Sequence, residues 1–170
     1  MPTTKTEVWL RGPLDDLPVL LQPVAHALLQ AREELEELMN GFPNWLLWER
    51  PAGLASPGFH LQHLTGVLDR LFTYALGKQL SMAQLEYLSA EGRYTEGTTT
   101  ISLVNNFNRQ VDEALNQLHN IDEHSLTDFR EVGRGKLPST VMGLYVHAAE
   151  HTMRHLGQLL VTVKMMKAEN

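Results

Sequence analysis

The sequence predicts an all-α protein: one four-helix bundle over residues 1–170, with a short accessory helix between its second and third long helices. Three observations carry this. Leu, Ala, Glu and Gln are plentiful and Val and Ile few, which favours helix over strand. Four long segments repeat apolar residues at helical spacing. A chain of 170 residues suits a single domain with one core.

After a polar arm, Leu17, Leu20, Leu21, Val24, Leu28, Leu35 and Leu38 recur on one face, with Arg32, Glu33, Glu36 and Glu37 on the other. Pro23 removes a backbone donor, so the regular first helix is expected to begin there and to end at Asn40-Gly41. Residues 42–55 hold two prolines, one glycine and the aromatic Trp45 and Trp48. That composition predicts a packed connection lying over one bundle end. Ser56-Pro57 reads as a cap with proline in the first turn of helix two, where Leu61, Leu64, Val67, Leu68, Leu71, Phe72 and Ala75 face inward until Gly77. Ser81 and Gln84 form a capping-box pattern for a short helix to about Ala90. Thr100 is expected to cap the third long helix, with Ile101, Val104, Phe107, Val111, Leu115 and Leu118 as its stripe, ending near Asn120. Residues 122–136 are charged and read as a connection. Pro138-Ser139-Thr140 is expected to open the last helix, which runs to about Lys167 with Gly143 and Gly157 as weak points. The connections are long enough that pattern alone leaves the order and handedness of the helices open.

Fourteen Lys and Arg against twenty Asp and Glu give a formal net charge of −6 with no basic run. That argues against nucleic acid, whose phosphates need clustered positive charge. The chain has no cysteine, so disulfides, thiolate metal sites and cysteine nucleophiles are excluded, and any metal must take histidine or carboxylate ligands. The first seven residues lack an apolar core and cleavage site, and no segment reads as a membrane span. A cytoplasmic protein with no membrane partner is expected.

The eight histidines are unevenly placed: His60 and His63 fall on helix two, and His147, His151 and His155 on the last helix. Residues four apart on a helix differ by about 40° around its axis, so His151 and His155 can face one ion. His63, among inward Leu64, Val67 and Leu71, can supply a third nitrogen from a facing helix. A pair at this spacing is also common among ordinary core or surface histidines. Several rings on apolar faces are harder to explain that way, since each buried imidazole needs partners. His26, His119 and His124 lie near helix ends or outward positions and are expected at the surface.

The final helix reads His151-Thr-Met-Arg-His155-Leu-Gly157-Gln158, which resembles the H-x3-H-x-G-Q signature of the DinB-like (DinB/YfiT-like) family. Gly58-Phe-His-Leu-Gln-His63-Leu-Thr-Gly66 is similar to the segment carrying that family's first histidine ligand. The resemblance runs from about Leu17 to Lys164. It implies a four-helix bundle in up-down-down-up order, often a homodimer, with a divalent metal on the residues matching His63, His151 and His155. His147 and His60, one turn before the motif histidines, are a surplus over the pattern. Each is a candidate ligand, ligand partner or acid/base. Gln158 or a backbone carbonyl is expected to orient an imidazole.

Nitrogen ligands suit zinc or nickel and are compatible with iron. Three of them leave a position for water or for a low-molecular-weight thiol, lowering its pKa and making a nucleophile. Two enzyme readings follow for a small-molecule substrate: a hydrolase, or a thiol-dependent transferase or isomerase, the latter implied by relatives. Candidate catalytic groups are His147, Glu150 and His60, with Tyr74 and Arg70 a step away. Glu150 precedes His151, whereas zincin peptidases place glutamate after the first ligand. Arg70 and Arg154 are candidates to hold a substrate carboxylate, although arginines on helices more often pair with acids. The competing reading is non-catalytic: a metal that staples the bundle of a stress-response or interaction protein, marked by a fourth ligand from His147 or His60.

Overall fold

The structure is a computed structural model and describes residues 5–169. The first four residues of the arm read as lacking a leader lie outside the described residues.

Four long helices and one short one carry the fold: α1 (Gln22–Met39), α2 (Pro57–Ala75), α3 (Met82–Ala90), α4 (Thr100–His119) and α5 (Val141–Glu169). α2 packs against α5 and α4, and α1 packs against the same two helices. Their shared core includes Leu28 and Leu35 from α1, Leu61 and Leu68 from α2, Phe107 from α4 and Tyr145 from α5, all fully buried. The inward stripe read for helix two is buried throughout. At the ends of other stripes the periodicity overreaches: Leu20 and Ile101 are exposed, because both sit where a helix is only beginning and neighbours are few. His119 and His124 are exposed as expected, whereas His26 is half-buried with Nε2 lacking a partner.

Local signals set the helix ends. Ser56 caps α2 by accepting from the Phe59 amide at 3.2 Å, and Ser81 with Gln84 closes a reciprocal box on α3. The cap of α4 is Thr99, paired with Ser102, one residue earlier than expected. Thr100 instead donates its hydroxyl to the Phe42 carbonyl at 3.0 Å and ties α4 to the preceding connection.

The charged connection after α4 holds a hairpin that the sequence pattern missed. Strands β1 (Phe129–Val132) and β2 (Leu137–Thr140) pair antiparallel, Phe129 opposite Thr140 and Val132 opposite Leu137. Four-residue strands are too short to show alternation, and this pair has no sheet partner. The hairpin is anchored by Arg130, whose Nε donates to the carbonyl of Ala75 at 2.8 Å and satisfies the end of α2. Pro138-Ser139-Thr140 therefore belongs to β2, and α5 begins only at Val141, with Thr140 Oγ1 accepting from the Gly143 amide at 3.0 Å.

The connection over residues 42–55 does pack on the bundle, burying Phe42, Leu46 and Leu47, but Trp45 remains 65% exposed while Trp48 is half-buried. Gly58 in the first turn of α2 makes this close approach possible. Its amide donates to the Leu47 carbonyl at 2.6 Å, and a Cβ there would lie 2.7 Å from the Trp48 ring and 2.9 Å from that carbonyl. Gly58→Ala is expected to lower stability by about 1–3 kcal/mol through overpacking. Urea denaturation followed by Trp fluorescence checks this, and an unchanged midpoint would show that the connection yields freely.

Candidate metal centre

The seam between α2 and α5 brings four imidazoles together. Residues 60 and 63 stand one turn apart on α2, and residues 151 and 155 one turn apart on α5, so close packing of the two helices aligns the pairs. Ring centroids of His63 and His155 are 4.4 Å apart, of His151 and His155 4.5 Å, and of His63 and His151 5.3 Å. His63, His151 and His155 each offer a ligand atom within 4.8 Å of the others. All three are half-buried.

The donors fit a divalent ion. His63 Nε2 and His151 Nε2 are 3.0 Å apart. Metal–nitrogen bonds of about 2.0–2.1 Å at tetrahedral angles put nitrogens ~3.3 Å apart, so for this pair a shift of a few tenths of an ångström suffices. Burial also favours, for His151 and His155, the neutral form that a ligand requires. Desolvation, with a smaller contribution from His63, pushes His155 down to about 4, and it lowers His151 in the same direction. Nδ1 of His151 is buried without a partner.

His60 is buried and stands behind the triad, its Nδ1 3.2 Å from Nδ1 of His155. Desolvation pushes it too down to about 4, with His63 adding to the effect. His147 is exposed, its ring 5.2 Å from that of His151 and its Nδ1 3.3 Å from Glu150. These three form a second, more open group able to approach one ion, although Glu150 is already bonded to Arg154. That bond holds the Glu150 carboxyl below its ordinary value.

Several contacts were not anticipated. Glu91, just past the end of α3, accepts from His63 Nδ1 at 2.7 Å through Oε2 and from Arg70 at 2.6 Å through Oε1. Burial opposes its ionisation, but the hydrogen bonds from His63 and Arg70 outweigh that and lower its pKa. Phe59 stacks on the opposite side of the cluster, its ring 5.2 Å from His63 and nearly parallel at 12°. The partner of the imidazole is thus Glu91, while Gln158 lines a cavity of about 600 Å³ together with Leu54, His60, Arg154, Gly157 and Val161. Arg70 is buried in its ion pair and not available as a substrate clamp. A carboxylate at the end of a short accessory helix carries no periodic signal. The available hint was Gly66, a glycine inside α2 with no cap to form.

The profile of the DinB superfamily matches residues 27–159, well over half of the chain, and the protein belongs to that superfamily. None of the curated proteins searched matches it. Among the described residues no helix is long and apolar enough to cross a membrane.

The depressed histidines make the metal-free protein acid-sensitive. His60 and His155 take up protons near pH 6.5 when unfolded but only near 4 when folded, so the unfolded state binds more protons between those values. Their contribution is intact above pH 6.5 and declines as pH falls. Denaturation midpoints of chelator-treated protein are expected to drop already between pH 6.5 and 4.5, before Glu33, held near 2, is protonated in the folded state. His60→Gln should flatten that segment of the profile. An equally steep profile in the variant would remove His60 as a cause.

Proposed function

We propose that this protein is a metal-dependent enzyme that holds one divalent ion, zinc or nickel before iron, on His63, His151 and His155. The resemblance to the DinB-like family supports the up-down-down-up helix order and a homodimer, and we add from the sequence reading a cytoplasmic location and a small-molecule substrate. The observation that carries the enzyme reading is the size of the ligand group. Three nitrogens converge, and the fourth nearby imidazole, His60, is directed at the far nitrogen of His155. No fourth protein ligand completes that group among the described residues, which favours catalysis over a closed staple.

When bound, the ion would supply a Lewis acid and an acidified water or thiol, the chemistry of a hydrolase or a low-molecular-weight-thiol transferase. The surrounding residues divide the remaining work. His155 and His60 share a proton between their Nδ1 atoms, which keeps the His155 ring oriented. His147, exposed and paired with Glu150, is the candidate to carry protons between solvent and the site. The mostly apolar cavity beside His60 accommodates the body of a small substrate.

Elemental analysis of untagged protein beside His63→Ala and His151→Ala is the test. About one ion per chain is expected in the wild type and none in either variant. Absence of metal after reconstitution with zinc, nickel and iron would overturn the proposal. With metal present, His147→Ala is expected to lower turnover of hydrolysable esters or thiol acceptors by about 10²–10⁴-fold while metal content stays unchanged. Undiminished turnover would release His147 from the role.

A further inference from the structure

We infer that Glu91 is the positioning residue of the metal centre, setting the tautomer of His63 so that Nε2 is free to bind, and that the α3 arm carrying it is coupled to occupancy of the site. This rests on the metal-binding reading above.

The arm is attached in an unusual way. α3 contributes no buried residue, so no apolar face holds it to the bundle. It is tied down by hydrogen bonds: Gln84 donates to Thr73 Oγ1 at 2.7 Å, Tyr87 to the Gln62 carbonyl at 3.2 Å, and the Gly92 amide to Gln62 Oε1 at 2.7 Å. These bracket Glu91, whose side chain is only 5% exposed. A carboxylate taken that far from water must be fully bonded, and each oxygen has one charged or polar donor.

α2 is shaped for this carboxylate. A Cβ on Gly66 would overlap Glu91 Oε1 and lie 2.6 Å from Arg70 Nη1 and 2.9 Å from the Tyr87 ring. Glycine inside a helix is destabilising relative to alanine, and here it leaves the space through which the Glu91–Arg70 pair reaches His63. Arg70 alone would account for an ion pair, but not for the second oxygen placed on an imidazole.

The direction of the proton follows. Ionised Glu91 is acceptor-only, so Nδ1 of His63 must carry the hydrogen and Nε2 must present its lone pair. Nε2 is the atom that faces His151 at 3.0 Å. Phe59, stacked on His63 and closing on Gly92, holds the ring in plane for both bonds. Coupling is reciprocal: an ion on Nε2 makes Nδ1–H a stronger donor and tightens the arm, and a docked arm raises affinity for the ion.

Glu91→Gln separates the hypotheses because it preserves shape and inverts the proton. Its amide oxygen is drawn to Arg70, leaving the NH2 to donate to His63 Nδ1 and moving the ring hydrogen onto Nε2. Zinc competition against a chromophoric chelator, with Co²⁺ absorption spectra, is run on full-length wild type, Glu91→Gln and a control, Gln84→Ala/Tyr87→Phe, which loosens the arm without touching Glu91. Glu91→Gln is expected to weaken zinc by about 10–100-fold and alter the cobalt spectrum, whereas the control loses only the smaller share due to arm docking and keeps the wild-type cobalt spectrum. Hydrogen exchange over residues 82–93 should slow on adding zinc to wild type and not to Glu91→Gln. Wild-type zinc affinity in Glu91→Gln, or equal loss in the control, overturns the inference while leaving the metal reading intact. If Glu91→Gln fails to fold, Glu91→Asp replaces it, with reach to His63 shortened and the same loss expected; undiminished zinc binding again overturns it. A wild type that binds none of zinc, nickel and iron overturns both readings.

Discussion

A buried imidazole left with an unpaired nitrogen loses solvation worth about 1–3 kcal/mol, and α2 and α5 place four imidazoles in one seam. Much around that seam answers this constraint. Glu91 takes up Nδ1 of His63, and His60 and His155 satisfy one another. What remains is His151, whose Nδ1 is buried without a partner and whose Nε2 faces Nε2 of His63, two atoms of the same kind at 3.0 Å. Two lone pairs cannot satisfy each other, so the apo seam must share a proton there, whereas a cation satisfies both. The residue pattern is compatible with a divalent ion as well as with a shared proton.

The same constraint explains how a helix with no buried residue is retained. α3 is attached by hydrogen bonds to α2, and its most enclosed contact, Glu91, is made with the histidine cluster. In an apolar bundle, segments dock by burying leucines. Here the dock is a charged side chain that would be unstable in that place without Arg70 and His63. The accessory helix thereby becomes part of the site, with Gly66 as the cavity in α2 that admits it.

Much of this was legible in the residues. The leucine stripes, the Ser56 and Ser81 caps and the spacing of His151 and His155 are local features, decided within one or two helical turns, and the structure contains them where the chain predicts them. The β1–β2 hairpin was not, because four-residue strands carry no periodicity and its anchor is a long-range bond from Arg130 to the end of α2. The exposure of Trp45 was not, because apolar composition says that a connection packs but not which of its aromatics faces in.

The sequence by itself determined an all-α chain with inward histidines on two helices, since helical periodicity and a repeat of four residues are properties of the backbone alone. Only the tertiary structure decided which of the surplus imidazoles converge. His60 and His147 sit at the same helical spacings as their neighbours, yet packing turns one behind His155 and leaves the other in solvent. Glu91 and Arg70 are 21 residues apart, and neither declares the other. Their meeting on His63 depends on how a short polar helix folds back over Gly66, and that is settled by the approach of two backbones rather than by any pattern along one.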